Sequence, residues 1–462
     1  MLGVTGSPAA TIAPARRCAY RVLRRTFERG AYTDRAFQSE AAALDARDRG
    51  LAMRLAYGSV QRRGTLDHLI EELTERPAGR LDPPVLAALR LGLYELLYLR
   101  GSPDYAVVAD AVELAKADRR AGHGLVNAVL RRAAGAGAGE LLGALADDTP
   151  ARAAIKHSHP EWIARLWWQE LGADEARALM ARDNEPAELA LRANALITDA
   201  ESLARALPAR THRDPQIPEA LVLEEPFDVH NSALWREGAF LPQSRGAMLV
   251  SRALAPVAGE RVLDLCAAPG GKSTHIAALM QGRGEIVAVE RDARRARELA
   301  RTARRLHAGN VRIEVADATR WRPEPGAGGA FDRVLVDPPC SGLGTLQARA
   351  DLRWRVTPEG VAEMTRTQDA ILARGAGGLR PGGVLVYSTC TISPSENERL
   401  IDAFLDSHPD FAVDALPAEL PRMCLPDAAE AGPRSQRRAG FVQTLPHRDD
   451  TAGFFIARMR RS

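Results

Sequence analysis

Two cysteines, Cys340 and Cys390, each follow a run of apolar residues and stand where a strand would end. Phe331-Asp332-Arg333-Val334-Leu335-Val336-Asp337-Pro338-Pro339-Cys340 carries one run into a rigid double-proline turn, and Val384-Leu385-Val386-Tyr387-Ser388-Thr389-Cys390 delivers the second thiol. In an open parallel sheet the strand ends share a carboxyl edge, where ligands bind. Asp337, Cys340 and Cys390 are therefore expected to converge. An aromatic residue after Asp-Pro-Pro would stack on a flipped base, but position 340 is Cys and a thiol does not stack. A thiolate can instead add to carbon 6 of a pyrimidine, which makes carbon 5 nucleophilic enough to attack a methyl sulfonium. A free thiol of pKa ~8.5 is only about 3% ionised at pH 7, so such a site needs nearby positive charge or base-assisted deprotonation. The sulfonium is one candidate charge. The alternatives are that each cysteine is a small buried hydrophobe, or that the two form a redox disulfide.

A second constellation precedes this one. Asp264-Leu265-Cys266-Ala267-Ala268-Pro269-Gly270-Gly271-Lys272-Ser273 leaves a strand-like run and opens a helix, and its small residues let backbone approach a ligand closely. It fits neither the dinucleotide fingerprint G-x-G-x-x-G nor the phosphate loop G-x-x-x-x-G-K-[ST], which favours a nucleoside ligand without a phosphate to cradle. Glu290 closes the next run, where an acid accepts hydrogen bonds from ribose hydroxyls. Asp317 closes the third, near the position of an adenine amine. A single strand-end carboxylate could equally cap a helix or face solvent; three in register with a small-residue loop point to a ligand. S-adenosylmethionine suits this arrangement, and a nicotinamide dinucleotide is the runner-up, disfavoured by the missing third glycine. Lysine occurs only at 116, 156 and 272 among 62 cations, so Lys272 in this loop is informative.

Elements must hold these residues in place. Runs at Arg261–Leu265, Glu285–Glu290, Val311–Asp317, Phe331–Asp337 and Gly383–Thr389 alternate with helical stretches, the signature of a parallel, doubly wound sheet. Phe441–Leu445 and Phe454–Met459 flank a polar turn and predict an antiparallel edge pair. From about Pro14 to Arg132 the pattern is helical, with Ala19, Val22, Leu23 and Phe27 on one face and Leu66, Leu69, Ile70 and Leu73 on another. Leu86, Leu89, Leu93 and Leu96 mark a central bundle helix that starts at Asp82-Pro83-Pro84. The Gly/Ala run Ala133–Gly139 predicts a loose junction. The domains expected are a disordered 1–13, a helical 14–139, a small α/β connector 140–225 with a helix around Trp162–Met180, and a catalytic 226–462.

Composition sets the outer bounds. With 462 residues, several domains are expected. A net charge of +3 is too small to imply nucleic-acid binding by itself. Five scattered cysteines and no apolar signal core predict a reducing, cytoplasmic location. The densest apolar stretch, Val85 to Leu99, is broken by Arg90 and Glu95 and is shorter than the ~20 residues a membrane span needs. Arg294, Arg297, Arg301, Arg304 and Arg305 recur at helical spacing, and Arg16, Arg17, Arg21, Arg24 and Arg25 cluster near the start. Phosphate contact is one reading. A solvated face is the leading one for both, because arginine is so abundant.

Asp264–Ser273, Asp337–Gly344 (DPPCSGLG) and Tyr387–Glu398 (YSTCTISPSENE) resemble the signature motifs of the Nop/Sun family of RNA cytosine-5 methyltransferases. Leu91–Tyr98, Gly124–Arg131 and His159-Pro160-Glu161-Trp162 extend the resemblance to bacterial members that join a NusB-like helical domain to the catalytic one. The resemblance implies an α/β, Rossmann-like catalytic domain with a seven-stranded sheet, preceded by an all-α RNA-binding bundle and the α/β connector. It implies S-adenosylmethionine held by Cys266, Ala267, Ala268, Pro269, Gly270, Gly271, Lys272, Glu290, Asp317 and Asp337. It further implies Cys390 as the nucleophile, Cys340 as the residue that assists product release, and methylation of carbon 5 of a cytidine in small-subunit (16S) ribosomal RNA through a covalent cysteine–cytosine intermediate. A monomer without metal is expected. If the bundle binds RNA as the resemblance implies, the N-terminal arginines are the better candidates for phosphate contact. Two positions depart from the family: Glu290 stands where Asp is usual, and Leu241-Pro242-Gln243-Ser244-Arg245 replaces a Gln-Asp pattern.

Overall fold

The computed structural model describes residues 12–118, 122–322, 331–420 and 440–462. The chain divides into two compact units, Met1–Glu185 with Arg349–Arg355, and Pro186–Ala348 with Val356–Ser462.

The first unit is helical. Helices α1 (Pro14–Glu28), α2 (Thr33–Glu40), α3 (Ala46–Gln61), α4 (Arg63–Thr74), α5 (Pro83–Tyr98), α6 (Asp104–Asp118) and α7 (His123–Gly143) surround one apolar core. Pro83 and Pro84 occupy the first turn of α5, where a missing N–H costs nothing. The helix is buried on nearly every side, as its leucine content predicts. Its two charged interior residues are therefore paired: Arg90 holds Asp67 through two hydrogen bonds of 2.6 and 2.7 Å, and Glu95 accepts from Arg16 at 2.8 and 2.7 Å. Gly58 of α3 permits the Tyr94 ring to lie against the helix, since a Cβ there would sit 1.9 Å from the ring.

The Ala133–Gly139 run lies inside α7 and leaves helical geometry only at Gly137, with φ 77° and ψ 162°. Alanine is the best helix former, so a run rich in Ala continues the helix until a glycine can adopt positive φ. Within residues 140–225, α8 (Pro150–Lys156), α9 (Glu161–Leu171) and α10 (Ala173–Arg182) belong to the first unit, and Gly172 separates the last two. The expectation for residues 1–13 lies outside the described residues except at Ile12 and Ala13.

Segment Arg349–Arg355 also packs into this unit, as a short 3-10 turn over Ala350–Trp354. Trp354 Nε1 donates to Val60 O at 2.7 Å. The fully buried Arg353 donates to Ser158 O, Asn184 Oδ1 and Asp183 O at 3.0, 3.0 and 3.1 Å.

The second unit holds two sheets. Strands β1 (Ala190–Ala193), β2 (Thr211–Arg213), β3 (Ala220–Leu223) and β4 (Phe240–Pro242) form an antiparallel sheet in the order β2-β3-β1-β4, with α11 (Ala200–Ala206) and α12 (Ala233–Arg236) beside it in sequence. The larger sheet contains β5 (Arg261–Leu265), β6 (Glu285–Glu290), β7 (Val311–Val315), β8 (Phe331–Val336), β9 (Leu379–Thr389), β10 (Phe411–Val413), β11 (Phe441–Gln443) and β12 (Phe455–Arg461). Its order is β10-β12-β9-β8-β5-β6-β7, with β11 paired to β12. The five central and β7-side strands are parallel, joined through α14 (Gly271–Leu279), α15 (Ala293–Arg305) and α16 (Pro358–Gly378); α13 (Arg245–Leu254) precedes β5 and α17 (Glu398–Ser407) follows β9. Strands β11 and β12 pair antiparallel as expected, but β12 is not an edge: it lies between β9 and β10. Its alternation is masked because Phe455 to Met459 are all buried.

Replacing Arg353 by Ala leaves two buried carbonyls and the part-buried Asn184 Oδ1 without their donor, and should lower stability by about 2–4 kcal/mol in urea unfolding followed by circular dichroism. A loss below about 0.5 kcal/mol would show that the segment is not anchored by this side chain.

Candidate active site

The parallel register builds the site. Leu265 lies opposite both Val289 and Val336, and Val336 lies opposite Tyr387. The next residue of each strand, Cys266, Glu290, Asp337 and Ser388, therefore falls in one row at the carboxyl edge. Glu290 in turn pairs with Val315, and β7 ends there, so Asp317 lies two residues past the strand rather than at its end.

The glycine loop has the backbone that its sequence requires. Cys266 adopts φ 66°, Gly270 adopts φ 102°, and a Cβ on Gly270 would meet Leu299 at 2.5 Å. Ala267 N donates to Val289 O at 3.0 Å, and Arg295 of α15 reaches over to Ala268 O at 2.6 Å. Beneath the loop, buried Asp264 accepts from Ser273 Oγ at 2.6 Å, and burial pushes its carboxyl up to about 7. Burial, reinforced by the carboxylates of Asp337, Glu290 and Asp264, pushes the Cys266 thiol up to about 12. Cys266 is a neutral wall of the site.

Sequence reasoning missed the support beneath this loop. Arg192 of β1, fully buried, donates to Gly271 O and to Gln243 Oε1 at 2.5 Å each, and to Thr274 Oγ1 at 2.9 Å. The atypical 241–245 segment thus packs against the loop helix through Gln243, while Arg245 pairs with Glu188 and with Asp214 at 2.9 Å. An isolated arginine in a strand carries no such signal in the sequence.

Glu290 is buried and accepts from Asp292 N at 2.9 Å, with Arg295 3.5 Å away. Asp317 is exposed, and its Oδ1 accepts from Thr319 N and Oγ1 at 2.9 and 2.7 Å, which hold its carboxyl below the usual range. The alternative reading of a strand-end acid as a loop cap describes one of its oxygens.

The two thiols meet. Cys340 Sγ and Cys390 Sγ are 3.4 Å apart, and both cysteines are reduced. Asp337 accepts from Lys272 Nζ at 2.6 Å and from Ser388 Oγ at 2.8 Å. Burial opposes the Lys272 charge, but Asp337 outweighs it, and the pKa of Lys272 is raised, further so by negative charge at Cys390. By reciprocity Lys272 favours a thiolate at Cys390. The Cys340 thiol is driven well above its ordinary range by its hydrogen bond to Cys390, by burial, and by the charges of Glu396 and Asp337. The two sulfurs are therefore coupled: Cys340 holds its proton against negative charge on Cys390.

The arginine clusters also separate. In α1, Arg16 pairs with Glu95 and Asp110, Arg24 with Glu28 and Asp118, Arg25 with Glu40 at 3.0 Å, and Arg21 with Glu40 at 3.7 Å. In α15, Arg295 and Arg305 serve backbone carbonyls, whereas Arg294, Arg297, Arg301 and Arg304 are exposed. Of these four only Arg294 has an ion pair among the described residues, with Glu298 at 3.7 Å.

Comparison with known proteins now bears on this geometry. The family model "16S rRNA methyltransferase RsmB/F" matches residues 251–460, the NusB family model matches 13–135, and the RsmF/B-like ferredoxin-like domain matches 159–230. A protein of Synechocystis named "Probable ribosomal RNA small subunit methyltransferase B" is 37% identical over 97% of this chain and 99% of its own. The chain belongs to the RsmB/F family of 16S rRNA methyltransferases. The ribosomal RNA small subunit methyltransferase B of Thermus thermophilus is 35% identical over 90% of this chain and 89% of its own. The crystal structure of PH0851 superposes with a TM-score of 0.78 at 26% identity, covering 98% of this chain and 99% of that one. Within the RsmB/F chain, the NusB match falls on α1 to α7 and the methyltransferase match on the large sheet, so the all-α bundle and the Rossmann-like fold are both present. The ferredoxin-like match begins at residue 159, among helices that cluster with the first unit. No described helix is long and apolar enough to cross a membrane.

Alkylation should reveal the thiol asymmetry. Near neutral pH, iodoacetamide should modify Cys390 at least about tenfold faster than Cys266, whose ionised fraction is negligible. Peptide mass spectrometry reads the order, and equal rates would refute the assignment of Cys266 as an inert wall.

Proposed function

We propose that this RsmB/F protein methylates carbon 5 of a cytidine in small-subunit ribosomal RNA, with S-adenosylmethionine as methyl donor and Cys390 as nucleophile. The observation that carries the proposal is the pair of thiols 3.4 Å apart beside the Lys272–Asp337 ion pair, at the edge where the glycine loop ends. A fold that only bound RNA would have no use for it.

The residues fit the donor. Loop 266–272 turns tightly over the strand ends because Gly270 packs against Leu299 without a side chain and takes a backbone that only glycine adopts readily. Glu290 is at the position to accept ribose hydroxyls, its longer side chain keeping the acid that the family's Asp supplies, and Asp317 retains an oxygen outside its own turn for the adenine side. When bound, S-adenosylmethionine supplies an electrophilic methyl group on a cationic sulfur.

The protein's own groups then act in sequence. A cytidine extruded into the pocket presents carbon 6 to the Cys390 thiolate, which Lys272 stabilises. The new S–C6 bond pushes electron density to carbon 5, from which the C5–methyl bond would form as the donor's methyl–sulfur bond breaks and its electron pair leaves with the sulfur as a neutral thioether. Loss of the carbon 5 hydrogen as a proton to solvent water returns electrons to the ring and breaks the S–C6 bond, whose electron pair goes to the Cys390 sulfur. Cys340, protonated beside Cys390, assists this last stage by holding or exchanging a proton at the departing sulfur.

For RNA contact we assign the stripe Arg297, Arg301 and Arg304 on α15, which has no ion pair among the described residues, ahead of the α1 cluster. The α1 cations largely face carboxylates that would repel phosphate.

The two thiols should fail differently. Cys390→Ala should abolish both methyl transfer and any covalent RNA adduct, whereas Cys340→Ala should attack and stall, leaving protein on RNA through denaturing electrophoresis. Identical phenotypes would reduce the pair to a core or disulfide role, and exchanged phenotypes would reverse the assignment. Replacing Arg297, Arg301 and Arg304 together by Ala should lower the log–log salt slope of single-stranded RNA binding by about 2. An unchanged slope would make the α15 stripe a solvated face.

A further inference from the structure

Glu396 is fully buried in the turn after β9, and none of the described cations forms an ion pair with it. Its carboxylate instead accepts from Ser341 N at 2.8 Å, Ser341 Oγ at 2.5 Å and Gln368 Nε2 at 2.9 Å. Each of these leads to a thiol. Ser341 directly follows Cys340, and Gln368 also donates to Pro339 O at 3.0 Å, on the other side of the same cysteine. Ser341 Oγ lies 2.6 Å from Thr391 Oγ1, and Thr391 directly follows Cys390. Gly344 N donates to Cys390 O at 3.0 Å, and Tyr387 Oη donates to Glu396 O at 2.7 Å, tying the acid's own backbone to β9.

A buried carboxylate without a cation is costly, and a neutral side chain would fill the space at lower cost if packing were the only requirement. What a carboxylate adds is acceptor capacity at both oxygens, enough to draw in a backbone N–H, a hydroxyl and an amide at once. We propose that Glu396 is a positioning residue that holds Cys340 and Cys390 at reacting distance by clamping Ser341, and through it Thr391, from below. Its negative charge also acts in the direction that keeps Cys340 protonated. The clamp deepens the reading of Cys390 as nucleophile and Cys340 as release residue, and rests on that reading for its role in turnover.

The distance between the sulfurs can be measured without RNA. Diamide takes two electrons and two protons from a pair of thiols: one thiolate adds to its N=N bond, the second sulfur displaces the hydrazine to form the S–S bond, and with diamide in excess this second step reads how often the sulfurs meet. In the full-length protein, Glu396→Ala should lower thermal stability, since it leaves buried donors unpaired, and in the folded variant should slow Cys340–Cys390 closure at least about tenfold with S-adenosylmethionine affinity little changed. Glu396→Gln keeps one oxygen for Ser341 N and Gln368 and donates its amide to Ser341 Oγ, so it should close within about twofold of the parent rate. In turnover, Glu396→Ala should lower kcat with the KM for S-adenosylmethionine unchanged, and Glu396→Gln should recover most of it. If Glu396→Ala does not fold, Ser341→Ala, which removes only the hydroxyl link, carries the same test and should also slow closure. Closure at the parent rate in a folded Glu396→Ala or Ser341→Ala variant overturns the clamp. Methylation that survives Cys390→Ala would overturn the nucleophile assignment while leaving slow closure, and hence the clamp, standing.

Discussion

Everything in the catalytic unit depends on the register of four parallel strands. Backbone hydrogen bonds place Leu265, Val289, Val336 and Tyr387 side by side, so the residues that follow them have no freedom to stand elsewhere than in one row. A slip of one residue in any strand would turn its chemical group into the hydrophobic layers on either face. The apolar core above and below the sheet prevents the slip, because Leu263, Val287, Val334 and Leu385 are buried on one face and Val262, Ile286, Leu335 and Val384 on the other. The site is thus precise because the core is well packed, and distant core residues contribute to catalysis without touching a reacting atom.

On that row the protein separates positive from negative charge over a few ångströms. Lys272 is paired with Asp337 and is raised in pKa by it and by negative charge at Cys390, while carboxylates act on Cys266 and Cys340. The three sulfurs of the site consequently have different tasks available to them, although the amino acid is the same. Composition could not have shown this, since environment rather than residue type sets the proton affinity.

Much of the site was legible in the sequence because its residues lie next to strong local signals: an apolar run, a proline turn, a glycine pair. The loop 264–273, Asp337, Cys340 and Cys390 are all of that kind. Long-range partners were not legible. Arg192 under the glycine loop, Glu396 under the thiols and Glu95 opposite Arg16 are ordinary charged residues whose meaning comes from a neighbour far away in the chain. The same limit explains the arginine clusters. Spacing shows that a set shares a face, but not whether carboxylates from other helices already occupy it. The Gly/Ala run was read through its glycines, whereas alanine propensity carried the helix to Gly137. The antiparallel pair at the end of the chain was legible, but its position inside the sheet depended on β10 and β9 closing over it.

The segment Arg349–Arg355 gives the two units an unusual connectivity. The polypeptide passes between them at 185/186, at 348/349 and again at 355/356. No single cut therefore yields two complete pieces: severing the chain before Pro186 leaves Arg353 and Trp354 attached to the catalytic unit while Val60, Ser158 and Asp183 depart with the other. Shuffling domains by simple end-to-end fusion would meet the same obstacle. In evolutionary terms, the helical unit cannot be shed or exchanged as a detachable cassette without rewriting the stretch of chain that leads on from the cysteine-bearing turn.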